Sequence, residues 1–144
     1  MTQPQERIVV GVDGSSASID ALKWAIRQAS LTGAVMEAVI GWQYPTVYGG
    51  YPLADTTDWP SNAKGILDTA VDEAIGAGNT QIARKVVEGH PAQVLMDAAA
   101  GAGLLVVGSR GHGGFTGMLL GSVSAHVATH APCPVLVVRH ATQD

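Results

Sequence analysis

Apolar residues along this chain fall into short unbroken runs separated by longer stretches with helical spacing, and the alternation itself predicts a fold. Runs at 8–12, 104–107 and 135–138 carry no polar interruption, as expected of parallel strands covered by helices on both faces. Residues 35–42 also read as a strand, and 81–87 is more mixed, which suits a sheet edge. Between them, 17–30, 63–75, 92–100 and 122–130 read as helices; Ile19, Leu22, Ile26 and Ala29 fall on one helical face. Five strands alternating with four helices specify an α/β domain with a mainly parallel sheet.

One connection is too long for this pattern. Residues 43–62 hold Pro45, Pro52, Pro60, Gly49, Gly50, three tyrosines and Trp59, a composition read as a surface loop that is neither helix nor strand interior. Its aromatic residues either cover a ligand mouth or a partner surface, or pack over the core.

Composition narrows the function. The 144 residues suit a single domain, 1–144, with 47% hydrophobic and 14% charged residues. A net charge of −4 offers no basic face, so nucleic acid is not an expected partner. No apolar run approaches the roughly 20 residues that span a bilayer, and no leader pattern is visible, so a cytoplasmic protein without a membrane partner is expected. Cys133 is the single cysteine and lies between Pro132 and Pro134. It has no partner for an intrachain disulfide, and burial at a strand entrance is its expected role; no Cys/His cluster supports zinc.

The chemistry concentrates at two strand ends. Gly108-Ser109-Arg110-Gly111 follows the run 104–107, and after nine residues comes Gly121-Ser122. Glycine at such a turn lets a ligand approach with no Cβ in the way, and the Ser122 hydroxyl is expected to cap the helix that Val123, His126, Val127 and His130 continue. Exposed N–H groups and the helix dipole would favour an anion. The lysine-containing P-loop and the dinucleotide G-x-G-x-x-G are both missing. Arg110 and His112 either meet phosphate oxygens or point to solvent.

At the N-terminus, the run 8–12 ends at Asp13-Gly14-Ser15, with Ser15 or Ser16 as a helix cap. Asp13 is read either as an Asx-turn residue or as a ribose or metal-linked carboxylate. If the first and fourth strands are neighbours, in the order 3-2-1-4-5, Asp13 and the glycine loop flank one crevice beside Ile40-Gly41-Trp42. Gly41 there either lets a flat base approach the backbone or forms a β-bulge. His90 before Pro91 reads as a turn residue, and His126 and His130 as helix-surface or cap residues. Apart from Asp13, no carboxylate stands beside the proposed phosphates, so no catalytic residue is assigned and at most slow phosphoryl chemistry is expected.

These residues resemble a known family. Val10-Gly11-Val12-Asp13-Gly14-Ser15, Gly89-His90-Pro91, Val106-Val107-Gly108-Ser109-Arg110-Gly111 with Gly121-Ser122-Val123-Ser124, and the closing segment Pro132-Cys133-Pro134-Val135-Leu136-Val137-Val138 look like a universal stress protein. The motif G-x-x-G-x9-G-[ST] resembles its ATP-binding branch. The resemblance implies a Rossmann-like sheet in the order 3-2-1-4-5, ATP with Mg²⁺ as ligand, a role in stress or dormancy, and a homodimer through the last strand. It further implies Asp13 near ribose and metal, Gly41 at the adenine, and Gly108, Gly111, Gly121 and Ser122 around the phosphates, with Val123 following. Ile40 stands where the family commonly has histidine before the adenine contact.

Overall fold

The computed structural model describes residues 6–44, 58–78, 80–110 and 120–140. Five strands, β1 (Arg7–Gly11), β2 (Val35–Trp42), β3 (Ile82–Glu88), β4 (Leu104–Gly108) and β5 (Val135–Val138), alternate with four helices, α1 (Ser16–Thr32), α2 (Trp59–Ile75), α3 (Pro91–Ala99) and α4 (Ser122–His130). The sheet runs β3-β2-β1-β4-β5, and every pairing is parallel. This is the Rossmann-like α/β architecture anticipated from the pattern, with the mixed strand β3 at an edge.

Strand alternation divides the core. Ile8, Val10 and Val106 pack with Leu22 and Leu67 of α1 and α2 on one face, whereas Val9, Leu105 and Val107 pack with Leu95 and Val127 of α3 and α4 on the other. Leu22, Leu67, Val9, Val10 and Val106 are fully buried. Each such side chain contributes about 1.5–3 kcal/mol by leaving water, which is why the uninterrupted apolar runs fix which segments become strands. One charge interrupts β2: Glu37 is only 7% exposed. Arg7 and Lys85 reach it at 3.2 and 2.9 Å. Arg7 also donates to the carbonyls of Ala98 and Ala100 at the end of α3.

Ser15 caps α1, its Oγ accepting the Ser18 N–H at 3.2 Å. Helix α2 corrects the expected loop, because residues 59–62 are its first turn. Asp58 caps it, accepting the Ser61 N–H, and Pro60 occupies an early position where no N–H is needed. The remainder of that connection, 45–57, lies outside the described residues, as do Gly111 and His112. His90 caps α3, its Nδ1 accepting from the Ala92 N–H. For α4 the expectation fails differently: Gly121 is the N-cap and Ser122 the first helical residue, so the Ser122 hydroxyl caps nothing.

Candidate functional site

At the C-terminal ends of β1, β2 and β4, where the winding changes direction, a cleft of about 560 Å³ opens, a volume typical of small-molecule sites. Asp13, Gly41, Gly108, Gly121, Ser122 and Val123 all line it, and so does Arg110. The topology thus brings together every described residue singled out for the site. Asp13 forms the Asx turn and also lines the cleft. Its Oδ1 accepts the Ser15 N–H at 2.9 Å, an Asx turn eased by Gly14 at φ 83°, and it faces the cleft while doing so.

Two ends of the long glycine motif are tied together by the backbone. The Gly121 N–H donates to the Ser109 carbonyl at 2.6 Å, the Ser109 N–H donates to Val138, and the Ser124 hydroxyl donates to the Gly108 carbonyl. Helix α4 therefore starts immediately beyond the end of β4. Helices α1, α2 and α3 each carry a side-chain cap, from Ser15, Asp58 and His90; among the described residues α4 has none. Its first residues, Ser122 and Val123, line the cleft, and a helix N-terminus carries unpaired amide donors and the positive end of the dipole.

The glycines serve packing more directly than expected. A Cβ on Gly108 would lie 2.6 Å from the Ala17 carbonyl carbon, so the missing side chain admits α1. Its φ is not in the left-handed region either. Gly41 is paired regularly with Val87 between Ile40 and Trp42, which removes the bulge reading. A Cβ there would stand 3.1 Å from Pro91 Cα and 3.2 Å from Val94 Cγ2, against the first turn of α3.

Sequence reasoning overlooked the wall supplied by α2. Trp59, Asn62, Ala63 and Ile66 line the cleft at the i, i+3, i+4, i+7 spacing of one helical face. That spacing was readable, but Pro60 disguised the first turn as loop. The other singled-out residues lie elsewhere: His126 and His130 stack with ring centroids 4.6 Å apart on exposed α4 surface, and the half-buried Cys133 thiol is pushed upward in pKa mainly by burial.

A model described as the Universal stress protein family matches residues 5–139. The chain belongs to that family. A universal stress protein of Mycobacterium tuberculosis is 38% identical over 144 residues, covering 96% of this chain and 47% of the relative. One from Mycolicibacterium smegmatis is also 38% identical, over 136 residues, covering 92% and 45%. The chain thus spans about half the length of these curated relatives. Among solved structures, a universal stress protein in complex with cAMP is 33% identical with a TM-score of 0.70, covering 95% of this chain and 98% of that one. The protein UspA from Lactobacillus plantarum, at 22% identity, shares the fold with a TM-score of 0.78, covering 96% and 100%. No helix among the described residues is long and apolar enough to cross a membrane.

Proposed function

We propose that this universal stress protein binds an adenine nucleotide, ATP with Mg²⁺, and acts in a stress or dormancy response through binding, with at most slow hydrolysis. The observation that carries this reading is the cleft itself: an α4 N-terminus without a side-chain cap among the described residues, with Gly121, Ser122 and Val123, lines the same cleft as Asp13. Such a terminus favours phosphate. Among the described residues no group of three or more His, Cys, Asp or Glu could hold a metal ion alone, so Mg²⁺ in this reading travels on the polyphosphate with Asp13 as its nearby carboxylate. Gly111 of the same motif belongs to the proposed phosphate loop. The cAMP held by the 33% identical relative supports the adenine-nucleotide class.

Nucleotide identity is tested by denaturing freshly purified protein and separating the released small molecules by chromatography. An adenine nucleotide in near-equal molar amount supports the reading; if none is released, calorimetric titration with ATP and Mg²⁺ decides, and no heat of binding refutes it. Release of phosphate or pyrophosphate at more than trace rates would instead favour an ATPase or adenylate-forming enzyme.

A homodimer through β5 is part of the same proposal. The carbonyls of Pro134 and Val138 accept from β4, so by alternation the N–H groups of Val135 and Val137 point to the free edge. A short apolar edge without lysine or proline invites pairing with its twin.

A further inference from the structure

We propose that Trp59 is the base-recognition residue of this cleft, stacking on the purine from the α2 side; the inference rests on the nucleotide reading above. Trp59 is half-buried and lines the cleft, yet it is not among the side chains packed against either core cluster. Among the described residues, a tryptophan at the first position of a helix and outside both core clusters leaves a large apolar face available for a flat ligand. Trp42 contrasts with it. That ring packs on the core and is held edge-on by Tyr44, with centroids 5.1 Å apart and planes at 79°.

The two ends of the cleft divide the ligand between them. At α2 the helix terminus is closed to anions, because Asp58 takes the Ser61 N–H and hydroxyl and Pro60 has no N–H. Asp58 adds a negative charge there, which opposes phosphate. At α4 the terminus lacks a side-chain cap among the described residues. Phosphates are therefore directed to α4, and the base end falls in the slot lined by Ile40 and Trp42 from β2 and Trp59 and Ile66 from α2. On β2, Ile40 and Trp42 belong to the α1/α2 face, the side from which Trp59 approaches. The ligand class that fits is a nucleotide with an aromatic base, and a base-free sugar phosphate would leave the slot empty.

Calorimetric titration of the purified chain, its Trp59→Ala and its Trp59→Phe variants with Mg²⁺-ATP, ribose 5-phosphate and tripolyphosphate tests this. Stacking on an aromatic residue is worth enough that Trp59→Ala should lose roughly 5- to 150-fold in ATP affinity. Trp59→Phe should stay within a few-fold of the parent, and it should reduce the ATP-induced quenching of tryptophan emission, with Trp42 of the same slot retaining its own share. Any binding of ribose 5-phosphate or tripolyphosphate should be equal in parent and Trp59→Ala. Parent-like ATP affinity in Trp59→Ala overturns the role of Trp59 while leaving nucleotide binding intact, and equal losses for ATP and the base-free probes overturn it as a general structural effect. A parent that fails to bind ATP overturns both proposals. Circular dichroism and melting confirm that the variants fold, as expected for a side chain outside both core clusters; if Trp59→Ala does not, Trp59→Leu replaces it, and a leucine that preserves ATP affinity refutes stacking.

Discussion

Replacing Gly108 with alanine should destabilise the protein through the contact between α1 and β4. The new Cβ would stand 2.6 Å from the Ala17 carbonyl carbon, 2.7 Å from its Cβ and 2.9 Å from its oxygen. None of these atoms is the far end of a flexible side chain, so α1 itself must withdraw by roughly 0.8 Å to restore ordinary contact. That withdrawal separates Ala21, Leu22 and Ala25, all fully buried, from the sheet. Overpacking costs about 1–3 kcal/mol, and a backbone opponent puts Gly108→Ala near the upper end, about 3 kcal/mol. At about 2–4 °C per kcal/mol for a domain near this size, the melting temperature should fall by roughly 6–12 °C.

Gly65 supplies the internal control. It lies inside α2, and a Cβ there would meet nothing within 4 Å, so Gly65→Ala should gain up to about 1 kcal/mol from helix propensity. Urea unfolding followed by circular dichroism reads both variants, with an unchanged m-value validating the comparison. A Gly108→Ala protein within about 0.5 kcal/mol of the parent would refute the packing argument, because a real clash with backbone cannot be that cheap. The same geometry means that Gly108→Val is not a clean probe of phosphate contact: loss of ligand in that variant would follow from displaced α1 as readily as from a filled site.

Mg²⁺-ATP at a hundredfold excess over Kd should stabilise the chain by about 2.7 kcal/mol in a thermal melt, and GTP should do less; equal shifts or none would count against the site. Asp13→Asn, which can keep the Asx turn to Ser15, should weaken Mg²⁺-ATP binding at an unchanged melting temperature of the free protein, whereas Asp13→Ala should disturb both; calorimetry beside melting separates them. Lys64 and Arg84 hold the Asp68 carboxyl below the usual carboxylate range, so its stabilising contribution is present at neutral pH and lost as pH falls through the folded-state value. Asp68→Asn should accordingly show a smaller drop in urea midpoint between pH 7 and pH 3 than the parent does. Val137→Pro removes the outward N–H of β5 and should yield a monomer by light scattering after size exclusion, while Val137→Thr remains dimeric; a monomeric parent would defeat the dimer.

Element order was legible because it depends on apolar runs that need no partner to be recognised: residues 104–107 are a covered strand wherever the chain takes them. Sheet order was not in those runs; it came as a conditional reading and from the family resemblance, and the observed order β3-β2-β1-β4-β5 agrees with it. Glu37 was not legible. Its burial in β2 depends on Arg7 and Lys85, which come from two different strands, and no local pattern announces a charge whose partners arrive through the sheet. The first turn of α2 was hidden by a different cause. Proline normally ends a helical reading, yet at Pro60 the missing N–H is one the helix does not use, and Asp58 with Ser61 was the cap signal that should have outweighed it.

The glycines were legible as important, but the packing role of those at the strand ends was not. Gly11, Gly41 and Gly108 stand at strand ends around the cleft, and a Cβ on each would strike a helix: Leu95 of α3, Pro91 and Val94 of α3, and Ala17 of α1, respectively. Their absent side chains let α1 and α3 approach the sheet more closely than a side-chain layer would allow. Helix α4 is drawn in by a separate tie, from Gly121 N–H to Ser109 and from Ser124 to Gly108. The close approach sets where the helix termini stand relative to the strand ends, and those termini form the cleft walls. A glycine motif that resembles a ligand fingerprint can therefore act one step earlier, by fixing helix positions. Its substitution would then disturb the cleft by moving the walls, so the proposed ligand contacts are better probed at Asp13, Trp59 and Ser122 than at the glycines between them.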